Sequence, residues 1–556
     1  MQKMQEVLKE KIHQALNALD LEGVAVELEY PADMAHGDFA TNAAMVAAKK
    51  AGENPRVLAE NIIAELGTIE GVSKIEPAGP GFINFTLSRE YIAQVVHGVD
   101  AEFGKNEVFK NKQVVVEYGQ PNIFKPFHIG HLMSISVGEA ISRLIEYSGA
   151  HVVRFNYQGD IGLHVAKGVW GLVKIGGSPE DVTALGAAYV AGNEAYENDP
   201  DAKEEIDALN KKLYEEDLTQ NEVYQKGRKA SLDAFEGIYN ALGTRYDHYA
   251  FETETASVGL DMVQKGLSTG VFEESDGATV YKGEKVGAHT RVFITSKGLP
   301  TYETKELGLA KVKYDIVPYD LNITTVAVEQ DTFFKVVRGA LYELWPEMEG
   351  VYTHATFGMM QLVSGKMSSR KGNIISGEGL ITDMRSAVEE QTAERDLGSE
   401  KDAIVNAVAV AAIKYGILKQ AKSKNITFDP EKALSFDGDS GPYLQYSYVR
   451  AQSVLEKADG KDGALDDAAS GPEDISEMER LLLRFPDMVE RAAREYEPHY
   501  VTNYLTELAS AFNSWYTANR IIGSEHEAYY LSVVRAFAHT MENGLWLLGI
   551  EAPERM

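Results

Sequence analysis

The chain has 556 residues, 44% of them apolar and 25% charged, and no cysteine. This length exceeds one hydrophobic core and predicts three or four domains, while the missing thiols exclude disulfides, cysteine-based zinc sites and a cysteine nucleophile, and fit a reducing cytoplasm. With 54 basic and 84 acidic residues the net charge is −30, which argues against nucleic-acid binding unless the cations cluster on one face.

In chain order, residues 1–100 read as a small α+β domain. Met1–Leu19 has helical apolar spacing, Val24–Tyr30 alternates like a strand, and helices are predicted over Thr41–Lys50 and Pro55–Leu66. Gly79–Leu87 reads as a turn and a strand. The start is polar and amphipathic rather than secretory, and no apolar run is long enough to span a membrane.

Residues 108–380 read as a parallel-sheet domain. A strand from Gln113 to Tyr118, a loop with two prolines, a helix from His128 to Tyr147 and a strand from His151 to Tyr157 form a βαβ unit. Residues 177–247 are polar and helical, the core of an insertion placed at about 177–285. Strands at Val292–Thr295, Ile323–Val328 and Phe357–Val363 are expected to complete the sheet, as in a split nucleotide-binding fold. After Ile381 the chain reads as helix throughout: a connecting region over 381–430 and a final domain over 431–556. Gly460–Asp474 reads as a small, acidic surface loop, and no internal repeat is evident.

Two short motifs flank the insertion, Pro126-Phe-His-Ile-Gly-His131 and Gly365-Lys-Met-Ser-Ser-Arg370. His128 and His131, three apart at a helix start, face one side, where backbone N–H groups and the helix dipole suit a triphosphate. Two imidazoles there can donate to phosphate oxygens as charge builds. Gly130 leaves room for an adenine against the backbone. Lys366, in a loop of small residues after a strand, can bring a cation onto a leaving pyrophosphate. Each motif alone also fits an ordinary helix start or basic turn; their order and the fold pattern between them join the two.

With these motifs the chain resembles an arginyl-tRNA synthetase, a class I aminoacyl-tRNA synthetase, over nearly its full length. The resemblance is densest in Val116–Leu132, Asn156-Tyr-Gln-Gly-Asp-Ile-Gly162, Ala433–Tyr446, Gly544–Met556, Gly37–Asn42 and Gly79–Asn84. It implies an α/β fold: a Rossmann-like catalytic domain with an insertion, a small N-terminal α+β domain and a C-terminal all-helical anticodon-binding domain. It implies ATP, with Mg²⁺, L-arginine and tRNA(Arg) as substrates, no structural metal, no membrane, and a cytoplasmic monomer. Among the site residues it implies catalysis by His128, His131, Lys125 and Lys366. Phe127, Gly130, Met367, Ser368 and Ser369 would contact ATP. Ser369 stands where the family's second motif has its second lysine, and Lys125 is the residue placed to compensate.

The resemblance also implies that Glu117 and Asn122 hold the α-amino end of arginine, and that Tyr302, Glu306 and Gln330 surround its side chain. A guanidinium carries five donors and a fixed charge, so its pocket needs a carboxylate and acceptors. Glu306 stands where the family usually has aspartate, and a solvated helical glutamate is the competing reading. Tyr302 could equally be a core residue, and Gln330 a strand-end polar group. Met133 and the Gln330-Asp331 pair also depart from the usual family residues. In the last domain Tyr443, Tyr446, Tyr448 and Arg450 could stack on splayed bases, or Tyr443 and Tyr446 could be core residues at helical spacing. Another class I synthetase, such as one for cysteine, and a non-catalytic tRNA-binding paralogue are the rival readings.

Overall fold

Val114, Val115 and Val116 have no exposed surface, so the strand Gln113–Glu117 is covered on both faces, as a central parallel strand must be. The computed structural model that places it describes residues 4–31, 33–215, 218, 221–363, 376–395, 398–458 and 471–556. The chain divides into two compact units: residues 1–103, 450–485 and 507–541 form one, and residues 104–449, 486–506 and 542–556 the other.

The larger unit is built on a five-stranded sheet. Its strands run, in spatial order, Tyr352–Phe357, Leu321–Ala327, Gln113–Glu117, His151–Gln158 and His248–Phe251, all parallel. The helix Ile129–Tyr147 makes the first crossover. The chain works outward from Gln113–Glu117 to one edge, then returns to lay Leu321–Ala327 on its other side. Strand order therefore reverses between Gln113–Glu117 and Leu321–Ala327, and the crevice at their carboxyl ends is where such folds bind ligands. Residues 182–241 of the insertion form three helices, Val182–Asn198, Pro200–Glu215 and Glu222–Ala241, whereas His248–Phe251, inside the 177–285 expected for it, belongs to the main sheet.

Three expectations for this unit need correction. The strand at Arg291–Ile294 does not join the parallel sheet; it pairs antiparallel with Ala278–Tyr281, which pairs with Glu273–Ser275. Apolar alternation predicts a strand but not its partner. The strand expected over 357–363 breaks at Gly358, where a Cβ would lie 2.1 Å from the Lys424 carbonyl oxygen. Residues Tyr352–Phe357 stay in the main sheet, whereas Met360–Leu362 pairs with Ile426–Phe428, a strand in the region read as all helix.

The smaller unit holds an antiparallel sheet in the order Phe39–Thr41, Phe82–Leu87, Val72–Ala78, packed by the helices Met4–Ala18, Ala43–Ala51 and Pro55–Leu66. Leu8, Ile12, Leu58, Ile62, Ile83 and Phe85 fill its core. The strand expected over 24–30 is reduced to one bridge, Glu29 with Ala40, because its neighbour Phe39–Thr41 is only three residues long. Asp38 accepts from the Leu87 amide at 2.8 Å and pairs with Arg480. Most of the loop read at 460–474 lies outside the described residues.

Candidate active site

The helix Ile129–Tyr147 begins with its own histidines as caps. The Gly130 amide donates to His128 Nδ1 and the His128 amide to His131 Nδ1, both at 3.2 Å. An amide can only donate, so each Nδ1 carries a lone pair and each neutral ring keeps its proton on Nε2. The rings stack with centroids 3.8 Å apart and the Phe127 ring lies 4.9 Å from His131. Burial, then Lys125, lowers the His128 pKa; burial, then His128 and Lys125, holds His131 well below the usual range. The arrangement is a pair of neutral Nε2–H donors on an amide-rich helix start. Gly130 has a local reason as well: a Cβ there would lie 3.0 Å from the His128 ring.

Lys366, Met367, Ser368 and Ser369 lie outside the described residues. The chain that follows them returns to the first motif. Ser376 bridges His128 in antiparallel fashion, and the Gly377 amide donates to the Phe127 carbonyl at 2.7 Å.

Glu117 ends the central strand at the reversal of strand order, 1% exposed. Its carboxylate receives Lys313 Nζ at 2.6 Å, Gln120 Nε2 at 2.7 Å and Thr324 Oγ1 at 3.3 Å. Lys313, fully buried on the helix Tyr302–Ile316, also donates to Asn322 Oδ1 at 2.8 Å and the Tyr352 hydroxyl at 3.0 Å. The Glu306 side chain, on the same helix, makes no hydrogen bond or ion pair among the described residues. Burial and then the Glu117 carboxylate push its pKa well up, against the pull of Lys313. A half-buried carboxylate without a cation, beside one already neutralised, is a vacant receptor for a cationic group.

Asn122 lies within a loop in which Gly119, Gln120 and Phe124 all take positive φ. At Gly119 a Cβ would lie 2.5 Å from the Tyr246 hydroxyl, so the turn needs glycine. Asn122 bridges Gly159 of the Asn156–Gly162 element, which brings those two motifs together. Tyr302 opens the helix Tyr302–Ile316 at 54% exposure, with Lys305 Nζ 5.2 Å from its ring. Gln330 is exposed at the carboxyl end of Leu321–Ala327.

Sequence reasoning missed five residues around the site. Lys313 was legible in principle, because residues 302, 306 and 313 share one helix face. The buried pair Lys305–Glu252, 2.7 Å apart, had no local signal. Nor did Tyr189 and Tyr214, which the insertion brings against Lys125 and Lys305.

Further along, Tyr443 and Tyr446 are half-buried on the helix Gly441–Ala458, Tyr446 with its ring 6.3 Å from Phe436. Tyr448 is 6% exposed, so packing leaves it no open face for a base. Arg450 bonds Asn513 and lies 5.5 Å over the Tyr516 ring.

Comparison with known proteins places the chain among its relatives. The family model described as tRNA synthetases class I (R), catalytic domain, matches residues 95–430. The DALR anticodon binding domain matches 444–556, and the arginyl tRNA synthetase N terminal domain matches 5–87. The arginine–tRNA ligase of Streptococcus pneumoniae is 32% identical, and that of Halothermothrix orenii 30%, each alignment covering 99% of both chains. The solved arginyl-tRNA synthetase of Thermus thermophilus superposes with a TM-score of 0.82 at 26% identity, covering 99% of this chain and 100% of that one. With a class I catalytic region joined to both flanking domains of the arginine enzymes, the chain belongs to the arginyl-tRNA synthetase family.

Proposed function

We propose that the ligation of arginine to its tRNA, the activity of this family, is divided among the residues of this chain as follows. Arginine enters with its guanidinium on Glu306, flanked by Tyr302 and Gln330, and its α-amino end toward Asn122 and the Glu117 loop. Its carboxylate attacks the α-phosphorus of ATP in line, and pyrophosphate leaves. His128 and His131 donate from Nε2 to the phosphate oxygens, while Lys125 and Lys366 offset the charge of the departing group. Phe127, Gly130, Met367, Ser368 and Ser369 line the nucleotide. ATP is consumed as its magnesium complex, a substrate rather than a resident cofactor. In the second step a ribose hydroxyl at the tRNA 3′ end attacks the activated carbonyl and AMP departs.

The carboxylate of Glu306, unpaired beside the neutralised Glu117, is the observation that carries this reading. An enzyme that selects a neutral side chain has no use for an unpaired, half-buried carboxyl here. Residues 1–100 would touch the tRNA outside its anticodon, 108–380 would catalyse, 381–430 would connect, and 431–556 would read the anticodon with Tyr443, Tyr446 and Arg450 on its surface. The enzyme would act as a monomer in the cytoplasm. Charging purified tRNA with each of the twenty amino acids is the test. Arginine alone should be attached, and charging with any other amino acid would overturn the assignment.

A further inference from the structure

Lys125 stands out among the cations of the site. Its ammonium makes no ion pair and no hydrogen bond among the described residues, although it is largely buried. Burial lowers its pKa and the more distant Glu252 opposes that. What lies against its ammonium is an aromatic face: the ring of Tyr189, 5.1 Å from Nζ, on the insertion helix Val182–Asn198. We propose that Tyr189 is a positioning residue for adenylate formation, holding the Lys125 ammonium toward the phosphates of ATP by a cation–π contact. The inference rests on the reading of Lys125 as a phosphate-binding cation.

The physical reason for an aromatic partner is selectivity of cost. A carboxylate would hold Lys125 more tightly, but it would neutralise the charge and occupy its N–H groups. A ring face attracts the cation through its quadrupole and leaves all three donors and the full charge for a ligand. That matters where Ser369 replaces a second lysine in the other motif, so a cation beside the histidines has more to do.

The insertion helix is seated tightly enough to fix the ring. A Cβ on Gly171 would lie 2.0 Å from the Ala188 carbonyl oxygen, and one on Gly192 would lie 2.0 Å from that of Lys167. Two glycines, one on each helix, therefore let the backbones of Leu163–Ile175 and Val182–Asn198 touch on either side of Tyr189. A Cβ on Gly186 would be 3.5 Å from Pro126 Cγ, which places the same helix directly on the residue after Lys125. The insertion thus reaches the catalytic motif itself.

The test is ATP–pyrophosphate exchange at saturating tRNA with Tyr189→Phe and Tyr189→Leu, each alone and combined with Lys125→Met. Tyr189→Leu should lower kcat/KM for ATP roughly tenfold, the size of a partly desolvated cation–π contact, and leave KM for arginine unchanged. Tyr189→Phe, which keeps the ring face, should stay within about twofold of the parent. In the Lys125→Met background Tyr189→Leu should have no further effect. Tyr189→Met replaces the leucine variant if circular dichroism shows the latter unfolded. The proposal is overturned if the leucine variant is fully active, if phenylalanine is as damaging as leucine, or if the losses multiply in the double variant. Loss of activity in Lys125→Met with a silent Tyr189→Leu would refute the role of Tyr189 alone. A silent Lys125→Met would refute the reading of Lys125 beneath it.

Discussion

Lys313 Nζ lies 2.6 Å from Glu117 Oε2, and neither side chain is more than 1% exposed. The pair ties the helix Tyr302–Ile316 to the end of the central strand. It also leaves Glu306, two turns earlier on that helix, as the carboxylate that still lacks a cation. One lysine thereby decides which of two neighbouring acids is paired and which is not.

Removing that lysine leaves a buried charge without compensation. Lys313→Met should destabilise the chain by about 3–5 kcal/mol in urea unfolding, and adding Glu117→Gln should recover part of the loss. Equal stability of the single and double variants would show that the pair is not the anchor.

The caps of the first motif separate folding from chemistry. Asparagine at 128 can offer an oxygen near the position of Nδ1, which accepts from Gly130, but it cannot supply the Nε2–H donor. His128→Asn should melt within a few degrees of the parent and lose about 10²–10³-fold in kcat for adenylate formation. A fully active variant would remove this imidazole from catalysis.

With the guanidinium seated on Glu306 as proposed, arginine binding should be sensitive to pH. Its folded pKa is raised, so as pH falls the empty site takes up a proton that the guanidinium must displace. Affinity for arginine should therefore weaken toward acid, by up to about tenfold per unit below the raised pKa. Calorimetry in buffers of different ionisation enthalpy should detect proton release on binding. Glu306→Gln should abolish that release and weaken arginine by roughly 10–100-fold, the worth of a charged hydrogen bond. Proton-neutral binding by the parent would exclude this role.

Glu139 predicts acid sensitivity of the fold. Burial alone would raise its pKa, but Arg154 and Arg143 hold it at about 2, with the Tyr118 hydroxyl bonded at 2.6 Å. A depressed carboxyl stabilises the folded state above its unfolded pKa and loses that contribution as pH falls from about 4.5 toward 2. The loss amounts to about 3 kcal/mol and should appear as a falling urea midpoint over that window. Glu139→Gln should flatten this part of the profile; an unchanged slope would assign the acid transition to other carboxylates.

The fold and site were legible to different depths. Val114–Val116 announced a buried strand because both faces were apolar, and the histidines announced a helix start because they stand three apart. Val292–Thr295 misled because an antiparallel hairpin and a parallel sheet demand the same local alternation. Val24–Tyr30 misled for a related reason: its alternation is genuine, but its pairing with the short neighbouring strand stops at one bridge. Glu306 could be located on a helix face from its spacing to Tyr302, yet its lack of a partner depended on where Lys313 went.

The amino-acid order by itself determined whatever rests on neighbours a few positions apart: the capped helix start at His128, the apolar central strand, and the succession of motifs that marks an arginyl-tRNA synthetase. Tertiary structure alone decided which charges meet. Lys313 reaches Glu117 across 196 positions, and Tyr189 reaches Lys125 from an insertion whose composition carries no hint of a site. Coulomb and cation–π forces act over a few ångströms of space rather than along the chain, so periodicity cannot report them.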